Sequence, residues 1–225
     1  TEVILNLYRS LIGVESNLKN MLNALNGIFA FALWDENKKT LLIARDAFGV
    51  KPLYYLQDEN TFTFASEVEA LLSMRNGKNL FNDDNLNIDA IAKYLSFMWC
   101  PGEGTPLKSL KKVHPGEYIL IKDGLIVNRE KWYKSNSSFF NNKLNNNINS
   151  KSYFVEKTRE YLKNSVERQL ISDVPVGVFL SGGLDSSSIA YFAKRKISNL
   201  KSFTINTQTK TNDGFENDLP YAKFI

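Results

Sequence analysis

Apolar residues recur at helical spacing at the start of the chain, where Val3, Ile4, Leu7, Tyr8 and Leu11 share one face and predict an amphipathic helix over residues 2–11. Residues 14–25 predict a second helix. After the turn signal Asn26-Gly27 the period changes: residues 27–35 set Phe29, Phe31 and Leu33 against alanines and read as a buried strand. A polar turn leads to a hairpin partner at residues 41–45. Residues 53–56 and 61–65 predict two more short strands joined by Asp58-Glu59-Asn60, and Ser66 caps a short helix over residues 67–73. Helical spacing returns at residues 88–97 and stops at Trp99-Cys100-Pro101-Gly102. Residues 117–121, the turn Asp123-Gly124 and residues 125–132 predict another hairpin.

The second half has a different rhythm. Residues 134–152 hold seven asparagines among Ser, Lys and Phe, lack periodicity and read as an exposed linker. Residues 153–171 place Phe154, Tyr161, Leu162, Val166 and Leu170 on one face of a strong amphipathic helix. Residues 174–180 (VPVGVFL) read as a buried strand, Ser181-Gly182-Gly183 breaks it, and helix-forming sequence resumes up to Lys194-Arg195-Lys196. Residues 201–205 then predict the next strand of a βαβ unit, parallel to the first. In such sheets ligands sit outside the carboxyl ends of strands, which brings Leu180 and Ile205 to one crevice.

Composition narrows the function classes. The 225 residues carry 28 basic and 24 acidic side chains for a net charge of +4, with no long run of either sign, so nothing points to a nucleic-acid or membrane surface. A single cysteine, Cys100, makes no intramolecular disulfide, and a single histidine, His114, builds no zinc cluster. No apolar segment is long enough to span a bilayer, and a cytoplasmic location is expected. The chain opens at Thr1 and stops at Ile225 inside the pattern of a new helix, so both ends of a longer protein are expected to be missing.

Strand, glycine turn and helix make an anion site. A helix N-terminus leaves backbone N–H groups unpaired and carries partial positive charge, and two glycines remove the Cβ atoms that would hold a phosphate away. Asp185 would repel a polyphosphate unless a divalent cation such as Mg²⁺ sat between them, which makes it a candidate metal ligand. The plainer alternative is that Asp185 or Ser186 caps the helix. The string Ser181-Gly182-Gly183-Leu184-Asp185-Ser186 resembles the pyrophosphate-binding loop of the ATP pyrophosphatase superfamily, and it does not match the G-x-x-x-x-G-K-[ST] phosphate loop.

Three earlier strings carry a second resemblance. N-G-I-F-A-F-A-L-W-D at 26–35, A-R-D-A-F-G-V-K-P-L-Y-Y at 44–55 and F-A-S-E at 64–67 look like the later half of a class II glutamine amidotransferase domain. Taken singly, Arg45 and Asp46 read as solvated charges in a Gly-Pro turn, but the order and spacing of the three strings over some forty residues argue against that reading. P-G-x-G-T-P, V-x-P-G-E-Y and Trp132-Tyr133 resemble the connector of glutamine-dependent asparagine synthetases, and the two halves together resemble that family.

The resemblance implies an α+β N-terminal portion, with Ntn-hydrolase-like antiparallel sheets and helices, followed by an α/β portion with a parallel sheet like that of the adenine nucleotide α-hydrolases. It implies a partial amidotransferase domain with connector at 1–132, a linker at 133–152 and the start of the synthetase domain at 153–225. Glutamine, aspartate and ATP are the implied substrates, with Mg²⁺ as cofactor and a homodimer as a possible assembly. Ammonia from glutamine would attack an aspartyl-adenylate, releasing AMP. Leu180, Ser181, Gly182, Gly183, Asp185, Ser186 and Ile205 are the implied ATP and pyrophosphate residues, with Asp185 also the metal ligand. No catalytic residue of the glutaminase falls within the chain: its N-terminal cysteine belongs upstream of Thr1, and Cys100 reads as structural. The later family loop S-G-x-G-x-D-E is absent, so the chain alone is expected to make no asparagine. Two other readings stand beside this one: a related amidotransferase for a sugar-acid or peptide-like acceptor, and a non-catalytic remnant.

Overall fold

Strand pairing follows the period-two alternation closely. The computed structural model describes residues 1–11, 17–74, 82–134, 151–206 and 217–225. The chain divides into two units, Thr1–Asn136 and Ser137–Ile225.

In the first unit β1 (Ala30–Asp35), β2 (Thr40–Arg45), β6 (Glu117–Lys122) and β7 (Leu125–Lys131) form an antiparallel sheet in the order β1-β2-β6-β7. A second antiparallel sheet has the order β4-β3-β5, built from β3 (Tyr54–Gln57), β4 (Phe62–Ala65) and β5 (Leu110–Lys112). Successive side chains of a strand face opposite ways, and here both faces of β2 and β6 are covered. Leu42, Ala44, Tyr118 and Leu120 join a core with Trp132 and with Leu22 of α2 (Leu18–Ala24), on which Ile4 and Tyr8 of α1 (Glu2–Leu11) also pack. Ile43, Ile119 and Ile121 point the other way, onto Leu53, Tyr55 and Val113 between the sheets. Leu56 and Leu110 then meet Leu71 of α3 (Val68–Met74) on the far side of the second sheet. Helices, sheet, sheet and helix lie in that order.

Most predicted elements stand where the pattern puts them, with two adjustments, one at the second helix and one at β5. The second predicted helix begins at Leu18 among the described residues, and residues 14–16 lie outside them. Helix α4 (Ile88–Phe97) is capped by the Asn87 side chain, which accepts from the Ala90 amide at 3.2 Å, and it ends at Met98 in the left-handed region. Strand β5 has no counterpart in the expectation. Its Leu-Lys-Lys sequence is too short and too charged to announce a strand, and its pairing with β3 creates it.

The second unit sets β8 (Gly177–Phe179) parallel to β9 (Lys201–Phe203), with α5 (Lys151–Gln169), α6 (Leu184–Lys194) and α7 (Leu219–Phe224). The parallel pairing is as predicted. The strand itself is shorter than residues 174–180 and is not buried along its length: only Val178 packs on the Val166, Phe192 and Ala193 cluster, while Phe179 is 80% exposed. A two-stranded sheet covered on one face leaves the residues of its other face, Phe179 and Phe203, in the open. The linker expected at 133–152 falls mostly at residues 135–150, outside the described residues, as do residues 213–216 of the segment leading into α7. No helix among the described residues is long and apolar enough to cross a membrane.

Candidate nucleotide site

The turn between β8 and α6 is ordered by its own hydroxyls. Leu180 ends the strand, buried, with its amide donating to the Phe203 carbonyl at 2.8 Å. Its carbonyl accepts from the Thr204 hydroxyl at 2.7 Å, which ties the ends of the two parallel strands together. Thr204 was not among the expected site residues, and only its place one position before Ile205 signals it. Ile205 lies beyond the end of β9 and is 75% exposed. Leu180 and Ile205 thus fall at the same carboxyl edge.

Gly182 turns the chain at φ +82°, a conformation that costs residues with a Cβ about 1–2 kcal/mol. Space demands glycine as well, since a Cβ there would lie 2.5 Å from the Tyr221 Cβ and 2.6 Å from the Tyr221 carbonyl carbon. The start of α7 therefore rests directly on the loop. Gly183 is the N-cap of α6 and makes no side-chain cap bond. The Ser186 hydroxyl reaches back to accept from the Ser181 amide at 3.3 Å, lies 3.0 Å from the Ser181 hydroxyl and donates to the Gly183 carbonyl at 3.2 Å. Ser181, Gly182, Gly183 and Ser186 are thereby held in a closed ring at a helix N-terminus.

Asp185 is exposed in the first turn of α6, with no hydrogen bond or ion pair among the described residues. The capping alternative fails on this geometry: Asp185 lies two positions inside the helix and Gly183 holds the cap. Among the described residues no group of three His, Cys, Asp or Glu side chains could hold a metal ion. A lone exposed carboxylate suits a Mg²⁺ shared with phosphate oxygens, the usual form of such sites. Ser187, two residues further along the helix, has a buried hydroxyl with no partner among the described residues.

In the first unit Arg45 and Asp46 are both engaged by the fold, in line with the order of the three strings and unlike the solvated charges each would be if taken singly. Asp46 is 1% exposed, and its carboxylate accepts from the amides of Phe48, Val50 and Lys51 at 2.9–3.1 Å. Arg45 donates to the carbonyls of Lys51, Val113 and Gly49, each at 2.6 Å, and burial lowers its pKa. The Asp46 carbonyl receives the Gly116 amide at 2.8 Å, and the Gly116 carbonyl receives the Trp132 amide at 2.8 Å. The strings R-D-A-F-G-V-K-P, P-G-E-Y and W-Y are one junction in space.

A family model of the glutamine amidotransferase domain matches residues 1–133, and one of asparagine synthase matches residues 157–225. The chain belongs to the asparagine synthetase family. It is thus a member of a ligase and amidotransferase enzyme family. Asparagine synthetase (glutamine-hydrolyzing) 1 of Bacillus subtilis strain 168 is 34% identical over 205 residues, which are 91% of this chain and 29% of that protein. A putative asparagine synthetase (glutamine-hydrolyzing) 2 of Methanocaldococcus jannaschii is 31% identical over 100% of this chain and 40% of its own length. The chain therefore spans well under half of these family members. A solved structure described as the allosteric regulatory enzyme of purine biosynthesis is similar at a TM-score of 0.40 and 18% identity, covering 100% of this chain and 42% of that one.

Proposed function

We propose that the chain is a portion of a glutamine-dependent asparagine synthetase, with part of the glutaminase and connector at 1–132, a linker at 133–152 and the start of the synthetase domain at 153–225. The observation that carries the reading is the serine-glycine ring at the N-terminus of α6, set where two parallel strands end, in a chain whose first unit matches a glutamine amidotransferase domain. In this reading Ser181, Gly182, Gly183 and Ser186 cradle the pyrophosphate of ATP, while Leu180 and Ile205 flank the adenosine. Asp185 would hold Mg²⁺, which supplies charge neutralisation on the phosphates.

The chemistry needs such a cradle because a carboxylate is a poor acyl electrophile. Attack of the aspartate β-carboxylate oxygen on the α-phosphorus forms an acyl-phosphate bond and breaks the α–β anhydride, with pyrophosphate leaving. Amides and hydroxyls fixed before the reaction stabilise that leaving charge without reorganising. Ammonia released from glutamine then attacks the acyl carbon, AMP departs with the C–O electron pair, and the extra proton passes to solvent. Asparagine, AMP and pyrophosphate result.

The test has two parts. The 225-residue protein should bind a fluorescent ATP analogue more tightly with Mg²⁺ than without. The longer protein containing it, given glutamine labelled at the amide nitrogen, aspartate and ATP, should yield labelled asparagine and pyrophosphate. Nucleotide binding with the label transferred to a different carboxylate would keep the loop assignment and overturn the acceptor.

A further inference from the structure

The Thr1–Asn136 unit carries a groove of about 740 Å³ bounded by the end of α4, the chain leading from it towards β5, and the turn after β2. Its lining includes Arg45, Lys112 and His114 and no carboxylate. Most of the remaining wall is apolar or aromatic, including Tyr94 and Trp99, which are 53% and 60% exposed.

The charge on this wall is unbalanced. Three of Arg45's five N–H groups go to carbonyls, leaving two. The Lys112 ammonium donates to the Cys100 carbonyl and sits 5.9 Å from the centre of the Trp99 ring, and no carboxylate among the described residues pairs with it. Burial lowers the pKa of Lys112, and the neighbouring Arg45 charge lowers it further. His114 faces Glu103 at 3.7 Å, but that carboxylate already accepts Arg129 at 2.6 Å. Half-buried cations that repel each other are costly unless an anion or water answers them. A concave, mostly apolar cleft of this volume with a few convergent polar groups has the make-up of a small-molecule site.

We infer that this groove binds a small organic anion, a carboxylate joined to a flat apolar body, with the carboxylate at Lys112 and the body along Trp99 and Tyr94. The ammonium on the Trp99 face gives the anion a fixed charge, and the ring gives the body a surface to stack on. The assignment uses no residue of the nucleotide loop and stands or falls apart from it.

Calorimetric titration of the 225-residue protein with 2-naphthoate and with the neutral isostere 2-naphthamide tests it. Naphthoate should bind about tenfold more tightly than the amide, as a charge-assisted contact requires. Lys112→Met should bring naphthoate down to the affinity of the amide, and Lys112→Arg should keep it within about threefold of the unaltered protein. Equal binding of the two probes, no binding of either, or full naphthoate affinity in Lys112→Met with an unchanged melting temperature would each overturn the proposal. If Lys112→Met does not fold, the comparison of the two probes on the unaltered protein decides alone.

Discussion

Two turns in this chain leave a strand and pivot on a left-handed glycine, and they treat their polar groups in opposite ways. After β2, Gly49 at φ +65° turns a loop whose amides at Phe48, Val50 and Lys51 all go to the buried Asp46 carboxylate, while Arg45 covers three carbonyls. After β8, Gly182 at φ +82° turns a loop held by weaker serine bonds of 3.0–3.4 Å, with Asp185 exposed and unpaired among the described residues. The first turn satisfies its own backbone amides within the fold. The second keeps a carboxylate and a helix N-terminus available, and its hydroxyls can exchange partners at small cost. A glycine turn after a strand therefore says little about function until the destination of each donor is known.

The comparison predicts a steep gradient of effects. Asp46→Ala removes a buried carboxylate that accepts from three amides and should destabilise the first unit by about 3 kcal/mol in urea unfolding, with Asp46→Asn costing less because one oxygen remains to accept. A loss below about 1 kcal/mol would make the two turns alike. Gly182→Ala must adopt φ +82° and push Tyr221, and α7 with it, away from the loop, so about 2 kcal/mol of stability in the second unit and most nucleotide affinity should go together. Retained ATP binding in that variant would show that the position of α7 does not matter to the loop.

Smaller effects sharpen the contrast between finished and open carboxylates. Asp35 resembles Asp46, taking the Tyr8 hydroxyl at 2.7 Å and the amides of Asn37 and Lys38 at 2.9 and 3.0 Å. The Tyr8 hydrogen bond, with those amides, holds its pKa below the ordinary aspartate value. A depressed carboxylate contributes stability above its unfolded pKa and loses it as pH falls through the folded one. Tyr8→Phe should thus cost about 1 kcal/mol at neutral pH, and the gap from the unaltered protein should close below about pH 4. Thermal melts across pH 2–7 would measure it, and a gap that does not narrow in acid would refute it. Asp185→Ala should change stability by less than about 0.5 kcal/mol, because nothing folded depends on it, yet remove the Mg²⁺-dependent part of ATP binding.

How far the chain could be read in advance followed the range of the forces involved. Helix α1 came out at its predicted bounds because its apolar face is set by residues three and four apart. Hairpin β6–β7 was legible from Asp123-Gly124, the turn chemistry itself. The S-G-G-L-D-S loop was legible because its bonds run between residues at most five apart. Strand β5 was not, since its partner β3 lies more than fifty residues earlier. Nor was Thr204, whose hydroxyl meets a carbonyl 24 residues away. Taken singly, Arg45 and Asp46 look like surface charges, because nothing local says that residues 113 and 116 will close over them; only the order of the three strings argues otherwise.

Sequence alone determined the period of each element, the glycine turns, the candidate phosphate loop and the family, all of which depend on residues near one another or on the order of short strings. Tertiary structure alone decided which polar groups are already satisfied. It bound Asp46 to six backbone partners, set α7 on Gly182 and left Asp185 and Lys112 without a charged side-chain partner among the described residues. Satisfaction of a donor or acceptor depends on atoms brought together across long stretches of chain, and the difference between a turn that folds and a turn that binds lies there.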